Sequence, residues 1–219
     1  MRDDQIYEST PPWRQTTITT SVPVTAVSYP GHDVVKELFD YGIDTDARKI
    51  YLIGDIERDL VASTIQAIGF FNSPRMKNTA ATPITLIIAS DGGDVHIMFA
   101  LVDAIRLSNV PIYTLCTGVV ASAATLILVS GHKRFATPNA YVMHHQLSAD
   151  ITGNLDELAT QTKVTNTMAA AFYRIMGERT NKPAKFWSQA AKRKNELWLQ
   201  PEKMIEYGVV DEILKEEVK

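Results

Sequence analysis

The chain has 219 residues, 45% of them apolar and 21% charged, enough for one α/β domain of ordinary size with a real core. A net charge of −3, with lysines and arginines scattered along the length, excludes an electrostatic nucleic-acid surface, and no apolar run reaches the ~18 residues of a membrane span. The single cysteine, Cys116, excludes an internal disulfide framework and fits a reducing, cytoplasmic compartment; the start MRDDQIYESTPPW has no apolar signal segment.

Residues 1–45, rich in Thr, Pro and Val without a sustained period, read as an extended arm with a strand at TTITTSV and a short helix over 34–42. The compact domain, 46–219, opens with a buried strand at Ile50–Ile53. ERDLVASTIQAIGFF follows as a helix with Leu60, Ile65, Ile68 and Phe71 on its inner face. Residues 72–83 read as a surface loop. ITLIIAS (84–90) is an uncharged, β-branched run of the kind that forms a parallel strand covered on both faces. DGGD breaks it, and 95–109 forms a helix with Ile97, Leu101, Ala104 and Ile105 on one side. A buried strand at 110–118 leads to an apolar helix at 121–130, and KRFATPNAYVMHHQ supplies two short strands around a Pro-Asn turn. Leu155 to Met176 is a long helix, its stripe Leu155, Leu158, Thr162, Thr165, Met168, Phe172 and Ile175 stepping by three or four. Short helices and a VVDEIL strand close the chain.

Strand 84–90, helix 95–109 and the strand at 112–117 make a βαβ unit. Such crossovers are right-handed and set their strands parallel. Parallel strands end on one edge of the sheet, so Gly92–Gly93 and Ser122 share that edge. Two glycines let a backbone present its N–H groups with no side chain in the way. The N–H groups of Gly93 and Ala123 could then form an oxyanion hole, aided by the dipole of the helix after Ser122. The plainer reading is a Gly-Gly turn and an N-cap serine, both common features.

A nucleophilic serine needs a base. YVMHHQ offers two adjacent histidines, and because successive strand residues face opposite sides, only one of His144 and His145 can point at Ser122. Strand geometry alone does not choose between them. Other chemistries lack their signatures: there is no G-x-x-x-x-G-K-[ST] phosphate loop, no G-x-S-x-G elbow, no H-E-x-x-H and no Cys/His cluster. No metal and no cofactor is expected. His32, His96 and His132 stand alone and read as surface or helix positions, Cys116 as a core thiol, and Asp103 and Arg106 as a solvated helix face.

ASDGGDV, CTGVVASAA, RFATPNAYVMHHQ and MIEYGVVDEI, in this order and at these distances, resemble the proteolytic subunit of the Clp protease, a serine peptidase of the crotonase-like superfamily. That family shows an SPGGSV-like turn, a GMAASMG-like nucleophile segment, a RxALPNSxVMIHQP-like strand pair and an EAxEYGLID-like terminus. The resemblance runs from about Arg48 to Leu214. It implies the crotonase-like α/β fold of repeated ββα and βαβ units with a protruding handle helix, the handle region being about 146–177. It implies Ser122 as nucleophile, His145 as base, and the N–H groups of Gly93 and Ala123 as oxyanion donors. Gly153 takes the place of a glycine-rich, substrate-holding strand before the handle. The resemblance further implies two stacked seven-membered rings enclosing the active sites, unfolded polypeptides as substrates, and a hexameric AAA+ unfoldase of the ClpX, ClpA or ClpC kind as partner.

Three departures from the family pattern stand out. The family's third triad member is an aspartate twelve residues before the YG glycine; the same count back from Gly208 reaches Glu196, with Asn195 as the lesser candidate beside it. A glutamate can orient an imidazole and stabilise its cation as an aspartate does. Asp91 replaces a proline and is expected to point away from the oxyanion. Residues 1–45 exceed the family's amino terminus and read as a propeptide, an axial gate or a docking segment. The functional expectation is an ATP-dependent serine endopeptidase subunit. Its alternatives are a structural ring subunit of little activity, motivated by the missing aspartate, and a crotonase-type acyl-CoA enzyme, ranked last because such enzymes use carboxylates where this chain has serine and histidine.

Overall fold

The computed structural model describes residues 40–73, 82–149, 151–190, 192 and 196–215. The TTITTSV strand, most of the 34–42 helix, the centre of the 72–83 loop, His32 and Asn195 lie outside these residues. The fold is mixed α/β and built on one eight-stranded sheet.

Its centre is parallel: β2 (Lys49–Ile53), β3 (Ile84–Ser90) and β4 (Ile112–Ala121) lie side by side. The edge strand β1 (Ile43–Asp44) runs antiparallel to β2, so the last residues of the predicted arm join the sheet. Along β3, Ile84, Leu86, Ile88 and Ser90 are buried while Thr85, Ile87 and Ala89 are only half-buried. The expected cover on both faces is therefore corrected: the described helices bury one face. α1 (Arg58–Phe71), α2 (Val95–Arg106) and α3 (Ala123–Ser130) form that layer, with α2 packed between the other two.

Helical boundaries follow the sequence closely, but two inner faces are rotated. α1 buries Val61, Thr64, Ala67, Ile68 and Phe71, leaving Leu60 and Ile65 on its flank. α2 buries Met98, Leu101, Val102 and Ile105, with Ile97 and Ala104 partly buried. Asp94 starts α2 as its N-cap, its carboxylate accepting the N–H groups of His96 and Ile97. α3 is buried on every side, as an apolar helix without a polar face must be.

β4 is ten residues long because it serves two neighbours in turn. Tyr113–Cys116 pairs with β5 (Lys133–Ala136), and Val119–Ala121 pairs with β6 (Tyr141–His144), both parallel. β8 (Glu212–Ile213) extends the sheet beyond β5. It is shorter than the predicted VVDEIL strand, since Val209 and Val210 enter the core instead. β7 (Leu197–Leu199), which the periodicity did not reveal, runs antiparallel to β6.

The long helix α4 (Leu155–Arg179) spans about 37 Å at 1.5 Å per residue. A capping box at Asn154 and Glu157 starts it. Of its predicted stripe only Phe172 and Ile175 are buried, joined by Met176, and Leu155 is 84% exposed. The first four turns thus leave the body of the described chain. Residues 146–149 and 151–154, before this helix, form no strand, so the glycine-rich strand expected at Gly153 is not formed among the described residues. α5 (Ala184–Ala190) and α6 (Pro201–Tyr207) close the base of α4. No helix among the described residues is long and apolar enough to cross a membrane.

Candidate active site

β4 delivers the serine. Between Ile88 and Ser90 its register against β3 shifts, and after Gly118 (φ 60°) the strand leans away to meet β6. At Ser122 the backbone turns from strand to helix with φ 54° and ψ −122°, a region that L-residues rarely occupy. An N-cap serine normally turns its hydroxyl onto its own helix; Ser122 makes no such bond. Its Oγ lies 2.7 Å from Nε2 of His145 instead. The turn is pinned to the end of β6: the Ser122 N–H donates to the Met143 carbonyl at 2.9 Å, and the Thr125 hydroxyl donates to the same oxygen at 3.1 Å.

Strand alternation sorts the two histidines. His144 turns inward and is 1% exposed; its Nε2 lies 3.1 Å from the Trp187 carbonyl, to which it donates, and its ring stacks on Phe172 at 5.6 Å. Burial pushes its pKa down to about 4, opposed by the bond to that carbonyl and aided by the neighbouring His145, so the ring is neutral at ordinary pH. His145, one residue on, faces the other way and meets Ser122.

Gly92 and Gly93 complete the edge. Gly92 has φ 108°, and a Cβ there would stand 2.6 Å from the Ser122 Cβ and 3.1 Å from the Ala123 nitrogen. Gly93 has φ 146° and its own absent Cβ would strike the Ile56 carbonyl at 2.6 Å. Only glycine lets these two backbones cross. The neighbouring groups are engaged: the Ile56 N–H donates to the Gly92 carbonyl at 2.7 Å and the Asp94 N–H to the Ile56 carbonyl at 2.9 Å. The N–H groups of Gly93 and Ala123 have no acceptor among the described residues. Ser122, His145, Gly93 and Ala123 line one pocket, whose apolar wall is Val95, Leu147, Ala169, Phe172 and Tyr173. Asp91 is exposed and does not line it.

Glu196 is placed by β7. The β6–β7 ladder pairs Val142 with Leu199, Met143 with Trp198 and His144 with Leu197. Continued by one residue, that register sets Glu196 opposite His145. The carboxylate oxygen Oε2 accepts the Trp198 indole N–H at 2.9 Å, and no bond from Glu196 to His145 is formed. Neither β7 nor this indole contact was anticipated from the sequence; the alternation of Leu197, Trp198 and Leu199 is the signal that could have raised both.

The remaining candidates lie elsewhere. His96 and Asp103 are exposed, Arg106 is exposed and paired with Glu178 at 3.6 Å, and His132 Nδ1 accepts the Ile112 N–H at 3.1 Å. Cys116 is fully buried and its thiol is pushed up to about 12 by burial, which makes it inert as a nucleophile. Among the described residues no group of three or more His, Cys, Asp or Glu side chains could hold a metal ion.

The sequence model of the Clp protease family matches residues 36–217. The ATP-dependent Clp protease proteolytic subunit 2 of Treponema denticola is 31% identical over 172 residues, 78% of this chain and 83% of that protein. The proteolytic subunit 1 of Bacillus cereus is 31% identical over 76% of this chain and 85% of its own length. Among solved structures, a ClpP1 mutant from Listeria monocytogenes superposes with a TM-score of 0.69 at 26% identity, covering 78% of this chain and 94% of that one. A match running from before β1 to beyond β8, on a fold shared with a solved relative, shows that the chain belongs to the Clp protease family and has its crotonase-like fold.

Proposed function

We propose that the chain is a serine endopeptidase subunit that cleaves unfolded polypeptides inside a barrel of two seven-membered rings. The observation that carries this reading is the 2.7 Å approach of Ser122 Oγ to His145 Nε2 beside two unengaged backbone N–H groups. The hydroxyl donates to Nε2, so the imidazole carries its proton on Nδ1. Ser122 Oγ attacks the peptide carbonyl carbon as its proton passes to Nε2. The carbonyl oxygen becomes an oxyanion that accepts from the N–H groups of Gly93 and Ala123, with the N-terminus of α3 adding positive potential. The C–N bond then breaks, and His145 returns the proton to the leaving amine. Water, deprotonated by the same imidazole, releases the acyl group and restores the serine.

Glu196 is the third member in this reading, accepting Nδ1–H of His145 and stabilising the cation. Its place opposite His145 in the β6–β7 register supports the role. The free turns of α4 support assembly through the handle, and in this reading ATP hydrolysis belongs to a separate AAA+ unfoldase, a division that the lack of a phosphate loop in the sequence supports. Several relatives carry ATP dependence in their names. The alternative, a ring subunit of little activity, draws on one observation: the Glu196 carboxylate is bonded to Trp198 and not to His145.

A fluorophosphonate probe separates the two. Stoichiometric labelling of the assembled protein, lost in Ser122→Ala together with peptide hydrolysis, is the expected result. An assembled ring that takes up no label would leave only the structural role.

A further inference from the structure

We infer that Trp198 is a positioning residue for the peptidase, holding the Glu196 carboxylate where its free oxygen can take the Nδ1–H of His145. The inference rests on the peptidase reading and deepens it. At position 196 a glutamate stands where the resembled family has an aspartate. A glutamate has one more rotatable bond than an aspartate, and on an exposed edge that freedom spreads the carboxylate over many positions. An orienting carboxylate must sit within a fraction of an ångström of its place to hold an imidazole.

The chain restrains that freedom locally. Glu196 and Trp198 are two residues apart along an extended segment, so their side chains leave the same face. The indole N–H, a donor that accepts nothing, takes Oε2 at 2.9 Å. One carboxylate oxygen is thereby tied, and an ionised carboxylate can still accept at the other. The ladder Met143–Trp198 and His144–Leu197 aims this tied group at the position opposite His145, where facing Cβ atoms stand ~5 Å apart. Trp198 is 51% exposed, and its indole N–H is engaged by the carboxylate rather than left to solvent. One contact thus ties the exposed tryptophan to the longer carboxylate at the end of β7.

The test is a double-mutant cycle on the assembled protein, read as steady-state peptide hydrolysis. Trp198→Phe keeps an aromatic ring, a smaller one, and removes the donor; the Glu196→Ala background separates the two losses. The expected result is a kcat about tenfold lower with KM within about twofold, in line with losing a hydrogen bond to a charged group. In a Glu196→Ala background, already slowed, the same change is expected to cost less than about twofold, because the group it positions is gone. Trp198→Leu, whose side chain also carries no hydrogen-bond donor, provides the same comparison if the Phe variant does not assemble. Equal penalties in both backgrounds would mean that the ring serves packing alone and would overturn the inference; so would a Trp198→Phe enzyme as fast as the wild type. In both cases fluorophosphonate labelling of Ser122 would persist. A wild-type protein that is never labelled marks failure of the peptidase reading itself.

Discussion

At the scale of single residues, the site depends on backbone that ordinary side chains do not tolerate. Ser122 sits at φ 54° with no cap bond of its own, held by the Met143 carbonyl and by the gap that Gly92 leaves. Strain of this kind costs about 1–3 kcal/mol and persists only where surrounding contacts over-determine it. Gly92→Ala places a methyl 2.6 Å from the Ser122 Cβ and 3.0 Å from the Ala121 carbonyl. We expect it to lower kcat/KM by about 100-fold or more, the scale of losing an oxyanion donor, and to lower the melting temperature as well. Hydrolysis assays together with thermal melts check it; a variant with wild-type turnover would show that the Gly92 turn does not set the serine.

At the scale of elements, α4 has two unlike halves. Its C-terminal end is locked to the body. Arg179 donates from Nε to the Val129 carbonyl at 3.1 Å and from its guanidinium to the Gly131 carbonyl, satisfying acceptors at the end of α3. Arg134, paired with Asp211, donates Nη1 to the Gly208 carbonyl at 2.7 Å and also to the Arg179 carbonyl. The other half carries exposed apolar residues, Leu155 and Val164 among them, with no described residue packed over them. A charge at Val164, 46% exposed, should change the stability of a single subunit by no more than about 0.5 kcal/mol. If the handles join two rings, Val164→Glu instead halves the particle mass in analytical ultracentrifugation while the fold, read by circular dichroism, is kept. An unchanged particle would remove this face of the handle from the assembly.

At the scale of the whole molecule, His144 ties three parts of the chain together. Its ring stacks on Phe172 of α4, meets Trp187 of α5 edge-on at 5.4 Å, and extends into a cluster with Tyr173, Phe186 and Tyr207. Nδ1 is buried without a partner among the described residues, so a proton there would find no acceptor among them. The folded pKa of about 4 lies below the ordinary histidine value, so the unfolded chain binds a proton that the folded chain refuses. The corresponding stability is full above about pH 6.5 and is lost as pH falls towards about 4, a total of about 3 kcal/mol. Urea unfolding at pH 7.5 and 4.5 measures it: His144→Phe should lose less stability over that interval than the wild type. Equal losses would show that His144 does not govern acid sensitivity.

Much of this was legible before any coordinates. The uncharged runs at 84–90 and 110–118, the glycine pair and the serine between strand and helix are local patterns, and a parallel βαβ unit brings their ends to one edge whatever the rest of the chain does; that the second strand continues to Ala121 is set by its pairing with β6. What periodicity could not resolve were contacts between segments distant in sequence. Which histidine meets the serine depends on the phase of β6 against β4. The orientation of Ser122 depends on a carbonyl twenty-one residues away, and the position of Glu196 on β7, a three-residue strand too short to show a period. The helix faces of α1 and α2 shifted for the same reason, because the inner side of a helix is set by the sheet beneath it. Composition and local spacing decided the elements and the chemical groups available; tertiary packing decided which of those groups stand within bonding reach, since hydrogen bonds are won or lost over tenths of an ångström that no one-dimensional pattern encodes.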